Sequence, residues 1–453
     1  MRKIATALGF GLKQGRALVA GPIARASALS LAIRLAGLVL SFAQAVLTAR
    51  LLGSTGYGTV ATILSAAQLL STAAMFGFGP LAVREIAARK AGGEEAALAG
   101  FLRLSSIFVV ILSSVVAAIA VLAVMPMIGS GTVWEDGFTL GGLLVIPLAL
   151  LALMRGWAQG FGRIANAQVP GEVLRPGIIV AVMGTAVAIG LEFGVEKYLV
   201  TAFIAASLAS GFSFALLWQS DLRVLPAAAM GPGIWAAART SLPFLGQSLA
   251  VFLQGEINTL LLAAFAGPHE TGLFQPVARL APLLTLPVQA ASMRYAPRMS
   301  EFWRAGEHER IRDVTRTFTW TTSLLTLMLA LAVAGAAPWL MLVFGDEFAA
   351  SAPLLWIIAA AQVFNAAGGP LGVLFSMAGR TGIAVAGQLA GLAVNLAVGI
   401  IFIPSYGAMS AAFGILAATV TWNVVLIVTM RRKLGIDPSL FAFIYDVRRS
   451  DAT

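Results

Sequence analysis

The chain has 453 residues, of which 59% are hydrophobic and only 11% charged, with a formal net charge of +10. Soluble globular chains carry about 25% charged residues, so most of this surface faces something other than water. The absence of cysteine excludes a disulfide framework and thiolate metal sites.

Residues 1–27 read as a basic amphipathic segment on the cytoplasmic membrane surface. Arg2 and Lys3 lead into an apolar stretch, but Lys13 and Arg16 interrupt it too early for a cleavable signal. A membrane span needs about 20 mostly apolar residues. Six windows qualify over 28–219, at 28–52, 59–80, 104–128, 138–158, 173–191 and 198–219. A cytoplasmic linker over 220–240 separates them from six more over 241–430, at 241–265, 273–293, 317–344, 352–378, 382–403 and 407–430. Residues 431–453 read as a cytoplasmic tail. The predicted fold class is an all-α integral membrane protein with twelve transmembrane helices.

Charge placement sets the orientation. With the N-terminus inside, all but four of the 30 Lys and Arg residues fall in inner segments or at the inner end of a span. Lys197 is in an outer loop, and Arg34, Arg50 and Arg279 fall within spans. The outer loops are short and acidic, with Glu135, Asp136, Glu192, Glu196, Glu270, Asp346 and Glu347. Both ends of the chain are therefore expected in the cytoplasm. This sorting accounts for the positive charge without nucleic acid as a partner. The inner segment 294–316 reads as one short charged helix. His269 and His308 lie in predicted loops on opposite sides, which leaves no histidine metal site and no cofactor to expect.

The halves repeat. Gly162-Arg163 and Gly379-Arg380 follow corresponding spans at an offset of 217, as do Pro80 and Pro297, while Gly56 and Gly272 differ by 216. Two six-helix lobes of like orientation follow, an arrangement used by transporters.

Charges and amides within hydrocarbon are costly and mark cavities, partners or interfaces. Arg34, Ser41, Gln44 and Thr48 fall within about 80° of one another on a helix. Gln247, Gln254 and Asn258 make a second stripe, Gln275, Arg279 and Gln289 a third, and Ser65, Gln68 and Thr72 a fourth. A hydrated cavity lined by Arg34, Arg279, Gln44, Gln68, Gln247, Gln254, Asn258 and Gln275 would explain them. Hydrogen bonding between neighbouring helices is the alternative. Arg50 lies off the first stripe near an outer end, where snorkelling suits it. Glu256 lies opposite Gln254 and Asn258 and reads as an ion-pair partner or a coupling group. Three buried cations against one anion favour an anionic substrate. The short outer loops, with no paired carboxylates or histidine constellation, argue against an enzyme.

The stretches LTARLLGSTGYGTVAT (47–62), QGFGRIANAQVPGEVLRP (159–176), LPFLGQSLAVFLQGEINTLLLAAFAGPHETGLFQPVARLA (242–281), FGDEFAASAPLLWIIAAAQVFNAAGGPLGVLFSMAGR (344–380) and IPSYGAMSAAF (403–413) cover most of the chain in family order. In these the chain resembles the polysaccharide and oligosaccharide-lipid flippases of the multidrug/oligosaccharidyl-lipid/polysaccharide (MOP) exporter superfamily. The resemblance implies two six-helix bundles forming a V-shaped central cavity in a bacterial inner membrane. It implies movement of a polyprenyl-diphosphate-linked glycan between leaflets, with membrane lipids and other glycan-export machinery as partners. Arg34 and Arg279 would carry the role of cavity arginines toward the diphosphate. Asn258 stands where the family often has an acidic residue, which puts cation coupling there in doubt. The alternative within the superfamily is a cation-coupled exporter of small molecules.

Overall fold

The computed structural model describes residues 22–124, 133–226, 233–440 and 442. Most of the segment read as a basic surface helix, 1–21, and of the tail, 443–453, lies outside them, as do 227–232 of the linker. The described residues are helical almost throughout. The helices are α1 Pro22–Ala74, α2 Phe78–Ala91, α3 Glu95–Val124, α4 Val133–Gly160, α5 Ile164–Gln168, α6 Arg175–Ala188, α7 Val195–Ser220 and α8 Ile234–Phe265. They continue with α9 Gly267–Leu280, α10 Leu286–Ala305, α11 His308–Leu342, α12 Ala352–Ala367, α13 Leu371–Met377, α14 Thr381–Tyr406 and α15 Ala408–Leu434.

Among the described residues, ten helical stretches are long and apolar enough to cross a membrane. The difference from the twelve windows has two local causes. The first two windows are two helices with no loop between them: the non-helical Gly53 (φ 65°, ψ −178°) breaks α1, and its second helical half starts at Ser54. The window 273–293 is instead cut into α9, a 3-10 turn over Ala281–Thr285, and α10. Pro276, Pro282 and Pro287 each remove a backbone donor there, which disfavours one continuous helix. The segment read as one charged helix over 294–316 is corrected too. α10 runs through it to Ala305, Gly306 turns the chain in the left-handed region (φ 73°), and α11 begins at His308. At about 1.5 Å per residue α11 is about 52 Å long, so its charged first turns extend beyond the hydrocarbon.

The chain divides into two compact units, Met1–Leu47 with Ile63–Phe252, and Thr48–Thr62 with Leu253–Thr453. The first has a core of Phe78, Leu81, Ile86, Phe101, Leu153 and Trp157. The second centres on Met299, Phe318, Leu374, Phe375, Leu426 and Met430. Outward faces are apolar: Ile111, Ile119 and Leu122 on α3, and Leu324, Met328 and Leu331 on α11, are exposed. Such continuous apolar surface suits lipid rather than water.

The repeat is visible in the backbone of each unit. Gly162 (φ 74°) ends α4, and Arg163 N–H returns to Ala158 O. Gly379 (φ 66°) ends α13, and Arg380 N–H returns to Phe375 O. Both are the same left-handed closure, which satisfies carbonyls left open by the helix end. Gly190 and Gly407 are a further left-handed pair at the same offset.

The beginning of the segment read as a tail is packed. Ile436 and Ser439 are buried, Thr319 Oγ1 donates to Pro438 O, and Leu440 N–H donates to Ala367 O at 2.8 Å. The stretch Gly368-Gly369-Pro370 is part of this packing. A Cβ on Gly368 would stand 2.1 Å from Asn423 Oδ1, and one on Gly369 would stand 2.3 Å from Pro438 O.

Candidate substrate-binding site

In the first unit, Arg34 is exposed on α1 and makes no ion pair among the described residues. Leu31 and Leu38, on the same helix face, are exposed beside it. Gln44, two to three turns on, is half-buried, and its Nε2 donates to Tyr198 Oη on α7 at 2.6 Å. Gln68 is half-buried and borders a pocket with Arg155, Glu172, Arg175 and Ser213. Arg155, inside the fourth window, is ion-paired with Glu172. Glu172 sits in a π-helical turn, Val169–Leu174, whose second residue is Pro170. Such turns widen the helix by one residue and often mark functional positions. A Cβ on Gly37 would stand 2.7 Å from Glu172 O, so α1 passes against this turn with no room for a side chain.

In the second unit, α8 carries a gradient. Gln254 is exposed, Glu256 half-buried, and Asn258 buried with its Oδ1 unpartnered. An unpartnered buried amide oxygen costs about 1–3 kcal/mol. Gln247 is exposed on the part of α8 that belongs to the first unit. Gln275 is buried on α9, and its Nε2 donates to Thr259 Oγ1 at 3.2 Å. Arg279 is exposed at the last turn of α9. The stripes therefore contain two kinds of residue. Gln44 and Gln275 hold neighbouring helices, while Arg34, Gln247, Gln254 and Arg279 present polar groups at the surface of their units.

Arg50, exposed on α1, has a backbone partner within its own unit: its Nε donates to Val343 O at 2.8 Å. Next to it, Ser54 restarts α1 after the Gly53 bend. Glu347 Oε1 accepts its N–H and Oε2 accepts its hydroxyl, each at 2.7 Å. With its only proton given to Glu347, the Ser54 hydroxyl is left to accept from His269 Nδ1 at 2.9 Å. His269 is thus in the first turn of α9 rather than in a loop. Glu270 does for α15 what Glu347 does for the second half of α1: its Oε2 accepts Ala408 N–H at 2.8 Å, just after Gly407. A carboxylate at a helix start satisfies a free donor and complements the helix dipole. Two acidic residues read only as outer-loop charges are thereby helix caps.

A polar cavity of about 260 Å³ lies wholly within the second unit. Gln254 of α8, Gln362 and Asn365 of α12, Gln388 and Asn395 of α14, and Trp422 of α15 line it, with Thr285 and Thr419. Of these, the sequence had singled out Gln254 alone. The signal was present as pairs on one helix face, Gln362 with Asn365 three residues on and Gln388 with Asn395 seven residues on, but each pair sits in an otherwise apolar run. Nothing acidic or basic lines this cavity. Amides both donate and accept, so the lining can exchange hydrogen bonds with a solute in either sense.

A family model described as "Polysaccharide biosynthesis protein" matches residues 23–303. None of the curated proteins matches the chain. Among solved structures, an inward-facing multidrug resistance MATE family transporter of the MOP superfamily is similar with a TM-score of 0.65 at 15% identity, over 88% of this chain and 94% of that one. The lipid II flippase MurJ, in an inward closed conformation, gives 0.68 at 13% identity, over 89% and 87%. A MOP superfamily transporter from Pyrococcus furiosus gives 0.58 at 16% identity, over 92% and 97%. At these identities the likeness is one of fold. The fold is the one seen in transporters of the MOP superfamily, and the family model shows the family: this multi-pass membrane chain belongs to the polysaccharide biosynthesis protein family.

Proposed function

We propose that the protein is a flippase, moving a polyprenyl-diphosphate-linked oligosaccharide or polysaccharide repeat unit from the inner to the outer leaflet of a bacterial inner membrane. The observation that carries this reading is an uncharged, amide-lined cavity inside a multi-pass membrane chain of a polysaccharide biosynthesis family. A glycan headgroup brings many hydroxyls, each costing several kcal/mol in hydrocarbon without a partner, roughly 2–7 each. The diphosphate adds charge, which is more costly still. Side-chain amides replace the lost water for the sugars, and guanidinium groups do so for the phosphates. Arg34 and Arg279 take the diphosphate role in this reading, with Gln44, Gln68, Gln247, Gln254, Asn258 and Gln275 as polar surroundings. Both ends of the chain are cytoplasmic, and the two lobes expose these groups to each side of the membrane in turn. Glu256 and Arg50 hold structure and do not couple a cation.

A cation-coupled exporter of small organic cations would instead place a carboxylate in its binding cavity, and the amide cavity has none. Reconstitution distinguishes the two. Vesicles containing the purified protein and a fluorescent polyprenyl-diphosphate oligosaccharide are expected to exchange that lipid between leaflets faster than protein-free vesicles. Uptake of an organic cation without glycan-lipid exchange would overturn the flippase reading.

A further inference from the structure

The amide cavity of the second unit holds a feature that the flippase reading does not require. The side chains of Gln254, Gln362, Gln388 and Asn395 make no hydrogen bond among the described residues, although amides within membrane helices ordinarily bond a neighbouring helix. Asn395 is only 5% exposed, and its Oδ1 has no partner. Room for that oxygen comes from Gly414, where a Cβ would stand 2.4 Å away. A Cβ on Gly391 would stand 3.2 Å from Trp422 Cβ and 2.9 Å from Ala418 O, so α14 and α15 are in close contact at the tryptophan. Asn365 is the exception among the amides: its Oδ1 accepts from Asn423 Nδ2 at 3.2 Å, and this fixes the side chain with its own NH₂ still available. The packing thus leaves four amide side chains without a protein partner in a cavity that Trp422 also lines.

We infer that this cavity is a subsite for an uncharged sugar ring, and the inference rests on the flippase reading only for which glycan supplies the ring. Sugar hydroxyls need partners that donate and accept at fixed positions, which amides provide. The opposite face of a sugar ring is a row of C–H groups, which lie well against an indole. A uronate or phosphate would leave its charge without a basic partner here, and an organic cation would lack an acidic one. The family model ends at residue 303, and every lining residue except Gln254 and Thr285 lies beyond it.

Saturation-transfer NMR on the purified full chain in lipid nanodiscs tests this with free sugars as probes: glucose, galactose, N-acetylglucosamine and glucuronate. At least one neutral sugar is expected to show transfer, and glucuronate none. Gln388→Ala and Gln362→Ala remove amides without orphaning any protein partner, and each is expected to weaken binding about tenfold. Trp422→Ala should abolish the signal, and Trp422→Phe should retain part of it. No transfer to any neutral sugar, or transfer that survives all three alanine variants, would overturn the subsite. So would binding of tetraphenylphosphonium that the same variants remove. Vesicle exchange without sugar binding would sink the subsite and leave the flippase standing. Sugar binding without exchange would do the reverse.

Discussion

Arg34→Ala and Arg279→Ala are each expected to stop glycan-lipid transport while leaving the protein inserted and folded. A charge-assisted hydrogen bond to phosphate contributes about 1.5–3 kcal/mol, which corresponds to roughly a ten- to hundredfold loss of rate per contact. Both side chains are exposed at the surface of their units, so truncation leaves no cavity in either core. Lysine at either position should retain partial activity, because it keeps the charge but loses the two-pronged fit to a phosphate. Arg34 decides most, because Leu31 and Leu38 flank it on the same face of α1. That setting also suits an arginine whose only task is to reach the headgroups. Normal transport by both alanine variants, measured by vesicle exchange, would establish the headgroup role and remove the cationic account of diphosphate binding.

The second large effect is on folding. Gly58→Ala and Gly272→Ala are each expected to lower the thermal midpoint sharply. A Cβ on Gly58 would stand 1.7 Å from Pro268 O, and one on Gly272 would stand 1.8 Å from Ser54 O. Backbone meets backbone there, so no side chain can swing aside. Ser54 with Gly58, and Pro268 with Gly272, face each other at the four-residue spacing that lets membrane helices approach closely. Overpacking typically costs about 1–3 kcal/mol, and a backbone clash belongs at the upper end. Separating these segments would also disturb the Ser54–Glu347 and Ser54–His269 hydrogen bonds. Gly211→Ala is the control: nothing lies within 4 Å of its Cβ position on α7, so its midpoint should hold or rise slightly. Thermal unfolding in detergent measures all three, and an unchanged midpoint for Gly272→Ala would contradict the close approach.

How much of this was legible in the sequence depends on the range of the interaction involved. Membrane helices were legible because about 20 apolar residues in a row is a local property. The left-handed closures at Gly162 and Gly379 were visible as a repeat for the same reason. Gly53 was not, because a single glycine does not reveal whether two helices are joined by a loop or meet at one non-helical residue. Polar stripes found residues of the right chemistry but could not sort them. Gln44 and Gln275 share a stripe pattern with Gln254, yet the first two bond neighbouring helices and the third lines a cavity. Arg155 escaped notice because it sits near the end of its window, where arginines usually reach water, and its pairing with Glu172 depends on a π turn that no periodicity announces. The amide cavity was the least legible feature. Gln362, Gln388, Asn395 and Trp422 are isolated polar or amphipathic groups on three helices, and only tertiary packing brings them together.

The most direct test of the flippase account is which leaflet holds the glycan-lipid when the protein is depleted from its native cell. The account predicts that the lipid-linked glycan accumulates on the cytoplasmic face, and that wild-type protein clears it while Arg34→Ala does not. A normal distribution of the glycan-lipid, together with raised sensitivity of the depleted cells to organic cations, would contradict the account and identify a drug exporter instead.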